Sequence, residues 1–224
     1  MYSELGFPSA VMRSHTTIGS NMYIVEDARA PNPRRVRIFL AEKEIEIEFR
    51  QIDINTLDHL SADFSKFNTM RRIPILVFES GRVLSESMAI CRYFEELEPE
   101  PHLLGKDPFD KAWVEMWNRR MELNLLFPIA QAFRHQHPAM KVMEVPQIPA
   151  WGKANAIKAI EVMEMMDEQL ADHPFIAGKY YSVADITALV AIDFLKPARI
   201  TRPEGLRHLN RWYKQVLARP SSKA

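Results

Sequence analysis

Apolar positions over residues 22–98 switch between two periods, and the switching predicts a small α/β unit. Met22-Tyr23-Ile24-Val25 is an apolar run of strand length. A turn follows at Ala30-Pro31-Asn32-Pro33, and a helical pattern runs over residues 34–43, with Pro33 at the first helical position, where its missing N–H costs nothing. Residues 45–54 set Ile45, Ile47 and Phe49 against Glu46 and Glu48, the two-residue period of a strand. After a helical stretch around residues 60–67, Ile75-Leu76-Val77-Phe78, a turn at Ser80-Gly81 and Val83-Leu84 predict a hairpin, and residues 85–97 a closing helix. The order βαβαββα is a compact α/β unit.

The pattern then changes. Pro99, Pro101, Gly105 and Pro108 mark residues 99–108 as a linker. Beyond it the period is helical throughout, over residues 109–134, 148–170, 182–195 and 205–218, which predicts an all-α domain over 109–219 and a short tail at 220–224. Ser182-Val183-Ala184-Asp185 reads as a capping box with aspartate in place of glutamate, and Tyr181 with Ile186 as its hydrophobic staple. Residues 1–21 are polar and mixed and are expected to be a disordered extension ahead of the fold, with Met22 as an alternative start.

Composition narrows the function classes. Basic and acidic residues balance at 29 each, which argues against a general nucleic-acid binder, and the basic run Arg34-Arg35-Val36-Arg37 reads as a solvated helix face. No segment reaches membrane-spanning length. The chain has 1 cysteine, Cys91, so there is no internal disulfide and no thiolate metal cluster, and a reducing cytoplasm is the expected location. His135 and His137 stand two residues apart, which does not bring both to one helix face, and no metal is expected.

Two short segments carry the candidate chemistry. Arg72-Ile73-Pro74-Ile75-Leu76 is a strand entered through proline, which leaves the Ile73 backbone free to pair with a ligand. Leu84-Ser85-Glu86-Ser87-Met88-Ala89-Ile90 opens a helix, whose first N–H groups and positive dipole end suit a carboxylate, while Glu86 suits an ammonium. A carboxylate site and an amine site beside a strand-like edge describe a pocket for a small peptide. Ser85, Glu86 and Ser87 are equally good residues for capping a helix with no ligand at all.

Taken in order and spacing, the Ile73-Pro74 entry, Glu86-Ser87-x-Ala89-Ile90, the proline-marked linker and Ser182-Val183-Ala184-Asp185-Ile186 resemble the soluble glutathione transferases over residues 22–219. The resemblance implies a thioredoxin-like α/β N-terminal domain over 22–98, an all-α C-terminal domain and a homodimer. It implies that Ser87 and the helix start hold the γ-glutamyl carboxylate of glutathione, Glu86 its amino group and the Ile73 backbone its cysteinyl part. His59 matches a position that reaches the glycyl carboxylate, and Arg72 one near the ligand. Met121 and Asn124, on the helix that walls the acceptor site in the family, are the candidate neighbours of the second substrate.

The chain departs from the family at the sulfur. Ala30 stands where the serine-type members carry their hydroxyl, and Tyr23 lies in the first strand, too early to serve. Asn32 is the candidate activator, as in asparagine-type relatives; its alternative role is that of a turn residue. A thiol of pKa about 8.5 is only a few per cent ionised at neutral pH, so a shift of about two units makes the thiolate dominant. Arg34 and Arg35 are expected on the solvated helix surface, and Cys91 is expected to be a buried structural thiol. The implied activity is conjugation of glutathione to small hydrophobic electrophiles, or reduction of disulfides by two glutathione molecules, with glutathione as co-substrate and no other cofactor. The alternative is a non-catalytic glutathione- or ligand-binding, or regulatory, protein of the same fold.

Overall fold

The strand runs pair through their register. In the computed structural model, which describes residues 22–224, β1 (Met22–Glu26) and β3 (Ile75–Phe78) are the inner strands of a four-stranded sheet of order β2-β1-β3-β4. β2 (Glu48–Gln51) runs parallel to β1, while β3 is antiparallel both to β1 and to β4 (Val83–Ser85). What the sequence predicts for residues 1–21 lies outside the described residues. β2 is shorter than the alternation over 45–54 predicts, because among the described residues it pairs with β1 alone: the ladder starts at Tyr23 opposite Glu48 and stops at Glu26 opposite Gln51. Ile45 is buried in the core all the same.

Strand alternation divides the sheet's two faces. Ile24 and Leu76 pack with Val36, Phe39 and Leu40 of α1 (Pro31–Glu42) and with Ile90 and Phe94 of α3 (Ser87–Leu97). On the opposite face, Ile75 and Val77 meet Phe64 of α2 (Ala62–Phe67), with Tyr23 and Val25 alongside. Tyr23 therefore faces α2, and the Arg50 guanidinium lies 3.4 Å over its ring.

The second half is helical: α4 (Pro108–Met121), a π turn over Glu122–Leu126, α5 (Phe127–Gln136), α6 (Pro149–Asp172), α7 (Val183–Ala198) and α8 (Arg207–Leu217). The single helix predicted for 109–134 is interrupted by the π turn. Pro128 has no N–H to donate and its ring crowds the carbonyl four residues back, so the backbone widens just upstream. Asp185 accepts the Ser182 N–H at 3.0 Å, as the capping box requires, and also the Ile176 N–H at 2.9 Å and Trp212 Nε1 at 2.8 Å. Burial pushes this carboxyl up to about 6, against donors that favour its charged form. The architecture is a thioredoxin-like α/β unit followed by an all-α unit, as expected, and one continuous core joins them through Val36, Phe39, Trp117, Ile186 and Leu189. Among the described residues, no helix is long and apolar enough to cross a membrane.

The basic run of α1 is not a solvated face. Arg34 pairs with Asp193 of α7 at 2.6 Å and donates to the Ser222 carbonyl at 3.0 Å; Arg37 pairs with Glu26 at 2.9 Å. Arg35 is fully buried and donates to Glu122 in the π turn at 2.8 Å, while its Nε and Nη2 have no protein partner among the described residues. Arg34 and Arg35 fasten α1 to the helical half and Arg37 fastens it to the end of β1, so the basic run is drawn into contacts rather than left to water.

Candidate active site

Four segments converge at one edge of the sheet. Val25 sits opposite Ile75, Ile75 opposite Ser85, and Gln51 opposite Glu26. The end of β1, the Ile73-Pro74 entry to β3, the exit of β4 and the turns after β2 are thereby brought together, although they are far apart in sequence.

The start of α1 is set by its prolines. The helix begins at Pro31, earlier than predicted, with Ala30 as N-cap and no side-chain cap. Pro31 and Pro33 have no N–H, and the Arg34 N–H donates to the Ala30 carbonyl at 3.3 Å. Asn32 therefore supplies the one first-turn amide hydrogen without a protein acceptor among the described residues. Asn32 is exposed and lies within the helix rather than in a turn before it. Its Oδ1 receives a long bond from Arg35 Nη1, 3.4 Å, and its Nδ2 has no protein acceptor among the described residues.

The start of α3 is also uncapped by side chains. Ser85 belongs to β4 rather than to the helix, and Glu86 takes the N-cap position at φ 70° and ψ 117° with no side-chain cap bond. Such a conformation costs an L-residue about 1–3 kcal/mol and survives only where the surroundings impose it. Ser87 is buried, and its hydroxyl has no partner among the described residues. The capping alternative for Ser85, Glu86 and Ser87 is therefore not what these side chains do. The Ile73-Pro74 peptide is cis.

A cavity of about 420 Å³ opens between the two halves. Arg29, Ala30, Asn32, Ile54, Asn55, His59, Arg71, Arg72 and Ile73 form its α/β wall, and Ala130, Phe133, Arg134, Ala139, Met140, Met143, Phe194 and Pro197 its helical wall. His59 is buried with no partner for Nδ1 among the described residues, and burial, reinforced by the charge of Arg72, holds its pKa below the ordinary value. The loop before α1 is pinned by Asp27, which accepts from Arg29 Nε and the Arg29 N–H, each at 2.9 Å, and from the Ile54 N–H at 3.1 Å; the Arg29 bond holds this carboxyl down at about 2. A larger polar groove of about 610 Å³ lies at the other end of α1, where Glu42 and Arg219 already pair at 2.6 Å.

Of the residues singled out from sequence, Asn32, His59, Arg72 and Ile73 share this cavity. Pro74, Glu86 and Ser87 do not line it and sit at the same sheet edge. Met121 is fully buried in the core and Asn124 is exposed away from the cavity, so neither forms the helical wall. The π turn resets the helix phase after Met121, and the face that reaches the cavity is Ala130, Phe133 and Arg134, at three- and four-residue spacing. Met140 and Met143 come from the segment between α5 and α6, which carries no periodic signal. Cys91 is buried, and its thiol is pushed up to about 12 by that burial.

Both halves of the chain match known proteins. Residues 30–97 match the N-terminal domain of glutathione S-transferases and residues 152–220 their C-terminal domain. Glutathione S-transferase 2 of Saccharomyces cerevisiae is 34% identical over 205 residues, covering 90% of this chain and 88% of that protein. Glutathione S-transferase F11 of Arabidopsis thaliana is 27% identical, covering 87% of this chain and 92% of that one. Among solved structures, a glutathione S-transferase domain-containing protein of Marinobacter aquaeolei VT8 superposes with a TM-score of 0.86 at 33% identity, over 89% of this chain and 98% of that one. Gtt2 of Saccharomyces cerevisiae gives 0.85 at 33% identity, over 90% and 98%. Both halves match in order and over most of the chain, and the protein belongs to the glutathione S-transferase family.

Proposed function

We propose that the protein is a glutathione transferase that holds the glutathione sulfur at the start of α1 through Asn32 and presents it to a small apolar electrophile on the helical wall. The observation that carries this reading is Asn32: its N–H and its Nδ2 lack protein acceptors among the described residues, at the positive end of a helix and on the cavity wall. Ser87 and the free N–H groups opening α3 take the γ-glutamyl carboxylate, Glu86 the ammonium, the Ile73 backbone the cysteinyl part, and His59 with Arg72 the glycyl carboxylate. The strained Glu86 backbone and the Ser87 hydroxyl, without a partner among the described residues, support these roles. The thiol proton leaves to water, the thiolate attacks the electrophile, and the protein contributes orientation and anion stabilisation.

Disulfide reduction belongs to the same proposal. Bound thiolate attacks one sulfur of the disulfide and the other leaves as thiolate; a second glutathione thiolate then attacks the glutathione sulfur of the mixed disulfide, giving glutathione disulfide and releasing the remaining substrate sulfur as thiolate. Cys91 is too deeply buried to take part, so glutathione's own sulfur serves. We also place the protein in the cytoplasm, where glutathione is held reduced, and take 22–98 and 109–219 as its domains with 99–108 between them. A homodimer is supported by exposed Leu97 on α3 and by Phe109 and Trp113, stacked at 6.1 Å on α4; sedimentation showing only monomer at micromolar concentration removes it.

The test is a pH titration of the near-ultraviolet thiolate absorbance of bound glutathione. An apparent pKa about two units below the free value is expected. Tight binding with an unshifted pKa instead supports a binding protein without thiol activation, the reading that Ala30 at the N-cap favours.

A further inference from the structure

Arg134 stands among apolar groups. It shares the helical wall with Phe133, Met140, Met143 and Phe194, and its side chain is only 24% exposed. Its Nε donates to Glu144 at 2.6 Å, but neither Nη has a protein acceptor among the described residues. Across the cavity, Arg72 and Arg71 have no ion pair among the described residues. Arg72 is disfavoured as a cation by burial and then by the charge of Arg134, with Glu144 opposing that effect. Guanidinium groups from both halves of the chain thus face one cavity, with Glu144 on the helical side and Glu86 at the start of α3 as carboxylates that favour the Arg72 cation.

A neutral apolar acceptor would leave the two Nη groups of Arg134 against hydrocarbon, which is unfavourable for a half-buried cation. The carboxylates of glutathione have proposed places on the α/β half, one at the start of α3 and one beside His59 and Arg72, whereas Arg134 is on the helical wall. We infer that Arg134 is a specificity residue that seats an anionic group of the second substrate, so that the favoured electrophile is an apolar molecule bearing a carboxylate. The inference rests on the transferase reading above. Two parallel N–H···O bonds from the Nη edge fit a carboxylate and would orient the ring or chain behind it against Phe133 and Met143.

The test compares 4-chloro-3-nitrobenzoate with its methyl ester. In both, the glutathione thiolate attacks the ring carbon bearing chlorine, a C–S bond forms, and chloride departs with the C–Cl electron pair. Because the ester is intrinsically more reactive, each kcat/KM is divided by the rate constant of the same reaction in buffer. The wild-type protein is expected to favour the acid about tenfold on this scale, consistent with one charge-assisted contact. Arg134→Met combined with Glu144→Gln, which leaves no carboxylate unpaired, should bring the ratio close to one. Glu144→Gln alone should raise it, since it removes the competing charge. The loop remains tethered in that variant by the Ile148 N–H to His135 Nδ1 bond at 3.0 Å and by Gln147 to the Arg134 carbonyl at 2.8 Å. Turnover of both compounds without discrimination overturns this inference alone, as does a double variant that raises KM for glutathione while the acid-to-ester ratio stays put. No turnover of either compound overturns the transferase reading and this inference with it.

Discussion

Replacing Asn32 by alanine isolates one of the three groups proposed to face the sulfur. The α1 dipole and the Asn32 backbone N–H survive the substitution, and the side-chain amide is lost. A bound thiol titrating about two units below about 8.5 is stabilised as thiolate by roughly 2.7 kcal/mol. The helix end accounts for about 0.3–1 kcal/mol, and each hydrogen bond to a charged acceptor for about 1.5–3 kcal/mol when well buried. Asn32 is exposed and its Oδ1 is held by only one long bond to Arg35, 3.4 Å, so its amide belongs at the low end of that range. Asn32→Ala should therefore raise the apparent pKa of bound glutathione by roughly one unit. Near pH 6.5 the thiolate fraction then drops from about half to about a tenth, and kcat/KM falls roughly fivefold, whereas above pH 9 the two proteins converge. Asn32→Asp should raise the pKa further, because a carboxylate would replace the donor beside a thiolate. The assay is the same absorbance titration run alongside the pH–rate profile. An Asn32→Ala pKa equal to that of the wild type, with activity reduced evenly at every pH, would refute the argument and make Asn32 a positioning residue at most.

Three further outcomes follow from named contacts. Glu86→Gly relieves a backbone at φ 70° and should gain about 1 kcal/mol of stability while weakening glutathione binding, which thermal melts with and without glutathione read together; a stabilised variant with unchanged affinity would sink the ammonium role. Asp27 has its carboxyl lowered from 3.8 to about 2 by Arg29, so its contribution is complete above the unfolded value near 3.8 and is lost as pH falls toward 2. The stability gap between wild type and Asp27→Asn in denaturant titrations should accordingly close between about pH 4 and pH 2. Asp185→Asn keeps an oxygen for Ile176 and Trp212 but turns its NH2 toward the buried Ser182 N–H, so it should cost about 2–3 kcal/mol in urea unfolding followed by tryptophan fluorescence; a cost below about 0.5 kcal/mol would mean that the network does not anchor α7.

Local features were legible in the sequence because their causes are local. The apolar run Ile75–Phe78, the turn at Gly81 and the Ser182–Asp185 cap each depend on neighbours within a few residues, and they formed where the pattern put them. Boundaries that depend on a distant partner moved: β2 stopped where β1 ran out of ladder, Ser85 joined β4 because Ile75 lies opposite it, and Pro128 widened the helix at residues whose composition looked regular. Charge was the least legible. A run of three arginines has the composition of a solvated face, and only the docking of α1 against α7 and the π turn turned Arg34 and Arg35 inward to Asp193 and Glu122. The α/β wall of the cavity could be read in part, since Asn32, Ile73 and the nearby Glu86-Ser87 belong to contiguous motifs. The helical wall could not, because Phe133, Arg134, Met143 and Phe194 share a surface only after α5, α7 and the segment before α6 have packed. The amino-acid order alone determined which segments become strands, helices and caps, through short-range periodicity and hydrogen bonding. Which charges are neutralised, and which side chains meet across the cavity, was decided by long-range packing, because those contacts have no spacing along the chain to reveal them.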